Sequence, residues 1–504
     1  MLFRLGAQPI QNWDEGIHGA VSLEMVEDGD WLTPHYMGGS YFRKPPLKIW
    51  MTAGLFTLIP TPSNSPSPWE GEKWTVWALR LPSALAGIAT SLLVAWWMWQ
   101  WRRSRWEAFL AGAIVATMRP IFFHAFRTGE MDGVLTFFVV LSLYAWWAAT
   151  ARPTPSRSPS PREGEKKIIS PPPAGRGGLG GWFVLCGAAI GLAVMTKSAA
   201  GLLPLPIIAA HALWTDAWRM IRIRHVLVLV FVLVIVIAPW HIIMIAIHGS
   251  AFWNDYLGWH IVKRATEALH NETAGTWWYL GTFARRFTPY TYVFVPALFY
   301  SIFHTLRAWR QRRAPGPDHS SFSAHSLLLI WFLIGFALFT IMRTKLDWYL
   351  LPLYPAAAML TAWFLAEVRG ALRGRVASIV YIIALVLLFG TGGAVTTRHL
   401  LRTEPPNPFH GITATIRGSG GVLVSYALDY KQHPAGYFIL RNALRDDVRI
   451  LDGQSDVART SGMLITSDRP GFLLTRNETE LPKELRQVVG EPHPFGAYVL
   501  WGRR

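Results

Sequence analysis

Cysteine is almost absent. One residue, Cys186, occurs in 504 and lies within an apolar run, so no disulfide can form inside the chain. Charge is scarce too. Asp, Glu, Lys and Arg make up 16% of the residues, against about 25% in an ordinary soluble domain, which argues against a soluble protein of this length. Acids are the scarcer sign, 31 against 48 Lys and Arg. The resulting charge of +17 raises the question of nucleic acid, but the basic residues are scattered in short loops between apolar runs. No RNA- or DNA-binding motif accompanies them, so no nucleic-acid partner is expected. Basic loops of this kind orient membrane helices. No cleavable signal sequence is recognisable.

Apolar residues are plentiful, at 51%, with 26 Trp. The run "VLVLVFVLVIVIAPWHIIMIAI" (226–247) is long enough to cross the ~30 Å hydrocarbon core as a helix. Ten segments read as spans: 81–101, 107–125, 134–150, 182–197, 199–215, 226–247, 289–306, 326–342, 349–367 and 376–397. The fold class is therefore an α-helical multi-pass membrane protein. The basic loops "WRRSRW", 151–181, "DAWRMIRIRH", "RAWRQRR" and "EVRGALRGR" then share one side, the cytoplasm. This requires "PPLKIWMTAGLFTLIP" (45–60) to lie along the outer interface as an amphipathic helix. Residues 1–44, the loop around Asp132, the loop 248–288 and the tail from about 398 fall on the outer face. The expected division is an outer-face segment 1–80, a transmembrane domain 81–397 and an extracytoplasmic domain 398–504. "MLFRLGAQPIQNW" is too short to span, so a first helix is expected ahead of it and is missing from the chain.

Two near-duplicate segments, "SPSPWEGEK" (65–73) and "SPSPREGEK" (158–166), are rich in Pro and Ser and read as inserts in tolerant loops. They fall on opposite faces and cannot share one site.

Charged residues otherwise gather at the outer surface: Asp14 and Glu15; Arg43 and Lys44; Arg127, Glu130 and Asp132; Lys197; Arg285 and Arg286; Arg343, Lys345, Asp347 and Tyr349. Each alone has an ordinary explanation. Lys197 would snorkel from a helix end, Asp132 would cap the helix that follows, and the arginines would bind any headgroup. Together they set carboxylates and cations where a lipid phosphate would sit. Cations stabilise a departing phosphate, and a carboxylate takes the proton of an attacking hydroxyl. That pairing moves a group from a lipid phosphate to an alcohol.

The motifs "NWDEGIHG", "GDWLTPHYMGGSYFRKPPLKIW", "ALRLPSALAG", "RTGEMDGVLTFF", "GLAVMTKSAAGLLPLP" and "KLDWYLLPLYP" resemble, in order, those of the membrane glycosyltransferase superfamily of aminoarabinose transferases and protein O-mannosyltransferases (glycosyltransferase family 39-like). The resemblance runs over roughly residues 10–365. It implies the type C glycosyltransferase fold, a polyprenyl-phosphate-linked sugar as donor, and inverting transfer at the outer face to a lipid, glycan or protein hydroxyl. It puts Asp14 at the position of the catalytic aspartate and Lys44 at that of the donor-phosphate lysine, with Arg343 and Lys345 as further phosphate contacts. Asp132 matches the second loop carboxylate. Arg127, His260 and Tyr349 join it as substrate-orienting candidates; Glu15 is grouped with them, with a structural role favoured. Three departures stand out. Arg43 occupies a position that is usually Glu in the aminoarabinose transferases, so a metal site built on that Glu is put in doubt and Arg43 stands in as a fixed cation. Ser198-Ala199 replaces Gly-Pro after Thr196-Lys197. The missing first helix leaves Asp14 poorly tethered. No cofactor is assigned, and a divalent metal is left open.

In the loop 248–288, His260, Lys263, Arg264, Glu267 and His270 recur at helical spacing, which predicts an interfacial helix anchored by Trp277, Trp278 and Tyr279. The tail predicts strands in "GVLVSYALDY", "DVRILDG", "SGMLITS" and "PFGAYVLWG", with helices in "HPAGYFILRNAL" and "LPKELRQVV", as a small α/β domain for acceptor recognition or packing. A rival reading is a transporter or lipid-binding protein. Transporters place ionisable groups near the midplane, whereas these crowd at one surface.

Overall fold

The computed structural model describes residues 1–58, 68–119, 124–151, 178–263, 266–267, 275–311, 319–402, 404–444 and 447–503. The insert 158–166, residues 65–67 of the insert 65–73, Arg264 and His270 lie outside them; residues 68–73, expected in a loop, are helical.

Helix α1 (Asp14–Asp28) opens with two acids in its first turn, where carboxylates complement the N-terminal end of the helix dipole. The residue before it, Trp13, has φ 71°, a costly conformation for a bulky side chain. Gly29, at φ 70°, closes the helix with the left-handed turn that glycine adopts without penalty. Glu15 through Met25 are all buried, because other elements pack on every side of α1. These include a two-stranded hairpin, His35–Tyr36 (β1) with Gly39–Ser40 (β2), and the helices α2 (Leu47–Leu58) and α3 (Pro68–Arg102).

Among the described residues, seven helices are long and apolar enough to cross a membrane: Glu72–Arg102, Asp132–Thr150, Gly180–Leu202, Ile223–Gly258, Phe322–Ile341, Asp347–Ala371 and Arg375–Leu401. They correspond to seven of the ten expected spans. The other three are α4 (Arg105–Thr117), with 13 residues, α7 (Pro204–Trp214), with 11, and the helix Thr291–Gln311, with 21 residues but Arg and His along its length. At 1.5 Å per residue α4 and α7 reach only about 20 Å. Helix α2 is likewise short, at 12 residues, in keeping with an interfacial position.

Helices α5 (Asp132–Thr150) and α6 (Gly178–Lys197) carry the core of the membrane domain, together with α8 (Ile223–Trp253) and the later spans. After α6 the chain turns sharply. Ser198 takes φ 49°, a left-handed conformation that glycine adopts most readily, and a 3-10 turn runs over Ser198–Leu202. A Cβ on Gly201 would lie 2.2 Å from the Val194 nitrogen, so only glycine permits the turn to fold back on α6. Helix α8 leaves most of its apolar surface exposed, as a lipid-facing helix does.

The tail is an α/β domain. Strands β3 (Val422–Ser425), β4 (Arg449–Asp452), β5 (Gly471–Arg476), β6 (Val489–Phe495) and β7 (Tyr498–Arg503) form one sheet in the order β4-β3-β5-β7-β6. β3 runs parallel to β4 and β5, and β7 runs antiparallel to β5 and β6. "SGMLITS" is not a strand. It belongs to the helix Val457–Ile465, whose N-cap Asp456 accepts from the Arg459 nitrogen at 3.0 Å. The third parallel strand is "GFLLTR", a run the sequence reading passed over.

One helix of this domain, Pro434–Leu444, docks along α1. A Cβ on Gly16 would sit 2.5 Å from the Ala435 nitrogen, and one on Gly19 2.8 Å from the Phe438 ring. Asn12 Oδ1 accepts from the Ala435 nitrogen at 3.3 Å. Glu24 accepts from Tyr437 Oη at 2.9 Å and from the Met37 and Gly38 nitrogens at 2.9 and 3.1 Å. Arg441 pairs with Glu27, and His410 Nδ1 lies 2.9 Å from Glu72 on α3. These bonds tether α1 from the side of the tail, where the sequence had left it loose.

Candidate active site

Asp14 stands half-buried at the start of α1. Its neighbour Glu15 is fully buried and accepts from Arg80 Nε at 2.7 Å, from the Gln11 nitrogen at 2.8 Å and from the Gly129 nitrogen at 2.6 Å. Burial pushes the Glu15 carboxyl up, but Arg80 and the two amides outweigh it and hold it below the usual carboxylate range. Arg80 also donates to the Leu5, Gln8 and Pro9 carbonyls at 2.9, 3.0 and 2.9 Å. Glu15 is thus a latch between α1, α3 and the loop at Gly129, and it has no surface to offer a substrate. Arg127 is similarly engaged with backbone, donating to the Met1 and Phe3 carbonyls at 2.5 and 2.9 Å. It is not among the residues that line the cavity described below.

The loop before α5 brings the carboxylates together. Asp132 is bonded through both oxygens by Lys197 Nζ, each at 2.7 Å. His124 Nε2 lies 4.0 Å from it. Glu130 is buried among Asp14, Asp132 and Glu15, and burial and these negative neighbours raise its carboxyl well above the ordinary range. Asp14 also acts electrostatically on His18, His124 and Lys197, which puts it in the same charged neighbourhood. His18, buried with Nδ1 3.3 Å from the Gly129 carbonyl, is lowered to about 4, by burial above all.

A cavity of about 380 Å³ opens beside this loop. Arg43, Lys44, Lys197 and Asp132 make its polar end, with Tyr349, while Leu135, Leu202, Leu338 and Phe339 are among its apolar lining. Lys197 Nζ lies 5.9 Å from the Tyr349 ring centre. Four expected site residues, Arg43, Lys44, Asp132 and Tyr349, therefore meet in one cavity. Asp14 is not among the lining residues. Nor are Arg343 and Lys345: Arg343 is exposed, and Lys345 turns back to donate to the Thr340 and Met342 carbonyls, both at 2.8 Å. That ammonium closes the end of a helix, as lysines near helix C-termini do. His260 falls in the helical turn Asn254–Lys263, but its side chain is outside the described part of the structure. Arg286 pairs with Asp347, away from the cavity lining.

Lys48 was not foreseen. Its side chain is fully buried, donates to the Leu79 carbonyl at 3.1 Å, and is lowered to about 7 by burial, partly opposed by Glu15 and Glu130. Lys48 lies in the first turn of α2, three residues after the Pro45-Pro46 pair that follows Lys44. Lys197, gathered with the outer-surface charges but given no role of its own in the site, holds Asp132 and lines the cavity.

His124, Glu130 and Asp132 offer one nitrogen and two carboxylates within 4.8 Å of one another, and His124 Nε2 is buried without a hydrogen-bond partner. That set fits a divalent cation in donor type and spacing.

Residues 47–253 match the family described as dolichyl-phosphate-mannose-protein mannosyltransferase. The chain is 28% identical over 353 residues to undecaprenyl phosphate-alpha-4-amino-4-deoxy-L-arabinose arabinosyl transferase 1 of Pseudomonas fluorescens (strain Pf0-1), covering 69% of this chain and 52% of that protein. It is 28% identical over 417 residues to the corresponding transferase of Serratia proteamaculans (strain 568), covering 80% of this chain and 65% of that protein. The chain thus spans about half the length of the first of these relatives. Crystalline ArnT from Cupriavidus metallidurans bound to undecaprenyl phosphate superposes with a TM-score of 0.69 at 18% identity, over 99% of this chain and 95% of that one. The apo oligosaccharyltransferase of Archaeoglobus fulgidus superposes with a TM-score of 0.55 at 13% identity, over 92% and 65%. The fold is the type C glycosyltransferase fold.

Proposed function

We propose that this chain, a relative of the aminoarabinose transferases and protein O-mannosyltransferases in sequence and in fold, transfers a sugar from a polyprenyl phosphate to an acceptor hydroxyl. The reaction takes place on the outer face of the cell membrane, with inversion at the anomeric carbon. The observation that carries the reading is the cavity: three cations at one end of an apolar chamber, matched to a phosphate with a hydrocarbon tail. The relatives' names support a lipid-linked donor, aminoarabinose in one branch and mannose in the other. One is an amino-substituted pentose and the other a hexose without an amino group.

In the donor the phosphate is a diester with one negative charge. As the acceptor oxygen attacks, its proton passes to Asp14, the bond from the anomeric carbon to the phosphate oxygen breaks, and the electron pair leaves with the phosphate. The leaving group becomes a dianion. Lys44, Arg43 and Lys197 meet this developing charge, where stabilisation lowers the barrier most. Arg343 and Lys345, turned elsewhere in this structure, contribute to the phosphate site only after the segment 342–346 rearranges. Asp132, fixed by Lys197, and Tyr349 orient hydroxyls, and the latch at Glu15 fixes the helix that carries the base. A divalent cation held by His124, Glu130 and Asp132 would add Lewis acidity beside the phosphate.

The acceptor is a lipid, a glycan or a protein. The test is Asp14→Asn in membranes supplied with a polyprenyl-phosphate-linked sugar. Release of polyprenyl phosphate should fall at least 10³-fold, a general-base loss of ordinary size, while donor binding persists. Undiminished release would remove the base. Binding with no release in the unaltered protein would favour a lipid-binding or lipid-flipping protein.

A further inference from the structure

Three consecutive peptide groups in the loop ahead of α5 are pinned by side chains from α1 and α3. The Gly129 N–H donates to Glu15 at 2.6 Å. The Gly129 oxygen lies 3.3 Å from His18 Nδ1, and the Glu130 oxygen accepts from Ser83 Oγ at 2.8 Å. A carbonyl only accepts, so His18 Nδ1 carries the proton and donates it. Glu15 and His18, three residues apart, are neighbours on the surface of α1. The loop presses close against them. A Cβ on Gly129 would lie 2.7 Å from Leu79 Cγ and 3.1 Å from Glu15 Cγ, and Met131 is buried in one cluster with Ile17, Val21 and Met25 of α1. Asp132 follows directly, as the first residue of α5 and a lining residue of the cavity.

His18 fills its space at a disadvantage. It is 1% exposed, and its Nε2 is buried without a hydrogen-bond partner. An unmade bond in the interior is destabilising, and an apolar side chain would occupy the position without one. What the imidazole adds is the Nδ1 donor. It adds no charge, because burial above all keeps it neutral, with Asp14, Lys48 and Lys44 acting on it in opposite directions. Asp14 stands one turn before it on the same helix.

We infer that His18 is a positioning residue for the transfer: by holding the Gly129–Glu130 peptide plane to α1, it sets the spacing between Asp14 on α1 and Asp132 at the head of α5. The inference rests on the transferase reading of the site. Displacing a reacting group by about 1 Å lowers a rate about 10²-fold, so a bond that fixes where α1 meets this loop is felt in kcat. Arg43 and Lys44 lie outside the loop, so donor KM changes little.

The experiment measures release of undecaprenyl phosphate by the full chain in membranes supplied with undecaprenyl-phosphate-linked mannose or 4-amino-4-deoxy-L-arabinose. His18→Leu should lower kcat at least about tenfold, with donor KM changed less than about threefold. His18→Asn is the rescue. Its Nδ2 stands where Nδ1 stood and its shape matches Leu, so kcat should return to within about threefold of the unaltered protein. His18→Gln, whose donor lies one bond further out, should fall with Leu. In the background Lys197→Met/Asp132→Asn, where the carboxylate is gone and neither partner is stranded, His18→Leu should lower kcat less than about threefold. An Asn variant that falls as far as Leu and Gln overturns the inference. So does a tenfold loss that persists in that background, or a Leu variant with full kcat. Where the Leu variant does not fold, Gln takes its place in each comparison. Turnover of neither donor by the unaltered protein defeats the transferase reading and the inference with it. A failure confined to the variants defeats the inference alone.

Discussion

Removing the Lys197 ammonium tests whether the Asp132–Lys197 pair is only structural or also serves the phosphate. Lys197→Met keeps the side chain's bulk and deletes its charge, leaving Asp132, 2% exposed, as a buried anion close to Glu130. Breaking one side of a buried pair costs about 3–5 kcal/mol, enough to lower the thermal unfolding midpoint in micelles by several degrees. Adding Asp132→Asn removes the stranded charge, and most of that loss should return, because replacing both partners of a buried pair is often close to neutral. Activity should behave differently. The double variant still lacks one of three cations facing the leaving phosphate, an electrostatic contribution of about 3 kcal/mol, so turnover should stay at least about 10²-fold down. The assays are thermal unfolding followed by tryptophan fluorescence, and release of polyprenyl phosphate by the single and double variants. A single variant as stable as the unaltered protein would refute the energetic argument. A double variant with full turnover would refute the assignment of Lys197 to the phosphate.

Other consequences can be measured on the same preparations. Glu15→Gln should destabilise the chain by roughly 3 kcal/mol through the stranded Arg80, and should lower kcat with little change in donor KM. Because the Glu15 carboxyl is held below its unfolded value, its stabilisation is complete above that value and is lost as pH falls through the folded one; unfolding midpoints from pH 6 to pH 3 should fall less steeply in the Gln variant. Lys48 has a slope of the same sign in a higher pH range. Folded at about 7 against 10.5 unfolded, it sheds a proton that the unfolded chain retains, so it contributes a rise in stability between those pH values, and Lys48→Met should remove that rise. Tyr437→Phe deletes a hydrogen bond to a carboxylate worth about 1.5–3 kcal/mol. It should loosen α1 and lower kcat although Tyr437 lies in the tail domain; an unchanged kcat would mean that the docked helix does not position the base.

Much of this architecture is written in local pattern. The run 226–247 lies inside α8, the segment 134–150 lies inside α5, and the tail forms an α/β domain, because apolar length and strand-like alternation act over short stretches of chain. The span count was less legible. The apolar stretch at α4 reads on past its last residue and that at α7 begins before its first, so helices of 13 and 11 residues read as longer ones; the turn ahead of α7 depends on the close approach of Gly201 to α6. "SGMLITS" was misread because an apolar run of that length fits a strand or a helix, and the deciding signal, Asp456 as an N-cap, lies outside the run. At the site, Arg43, Lys44 and Asp132 were found because motif spacing marks them. The direction of a side chain is not marked: Lys345 and Arg343 have the right charge in the right segment, yet Lys345 satisfies carbonyls of its own helix end. The pairings of Glu15 with Arg80 and of Glu24 with Tyr437 join residues 65 and 413 positions apart, distances over which a single sequence gives no register.

The docked helix Pro434–Leu444 ties the opening of the chain to a segment made more than four hundred residues later. During synthesis the membrane spans are inserted one after another, while the helix bearing Asp14 waits without the surface against which Gly16 and Gly19 pack. Asp14 and the cavity residues Arg43, Lys44, Asp132 and Lys197 are thus all made before the surface that holds α1 in place. Helix α1 therefore acquires that packing surface only after the rest of the membrane domain has been made.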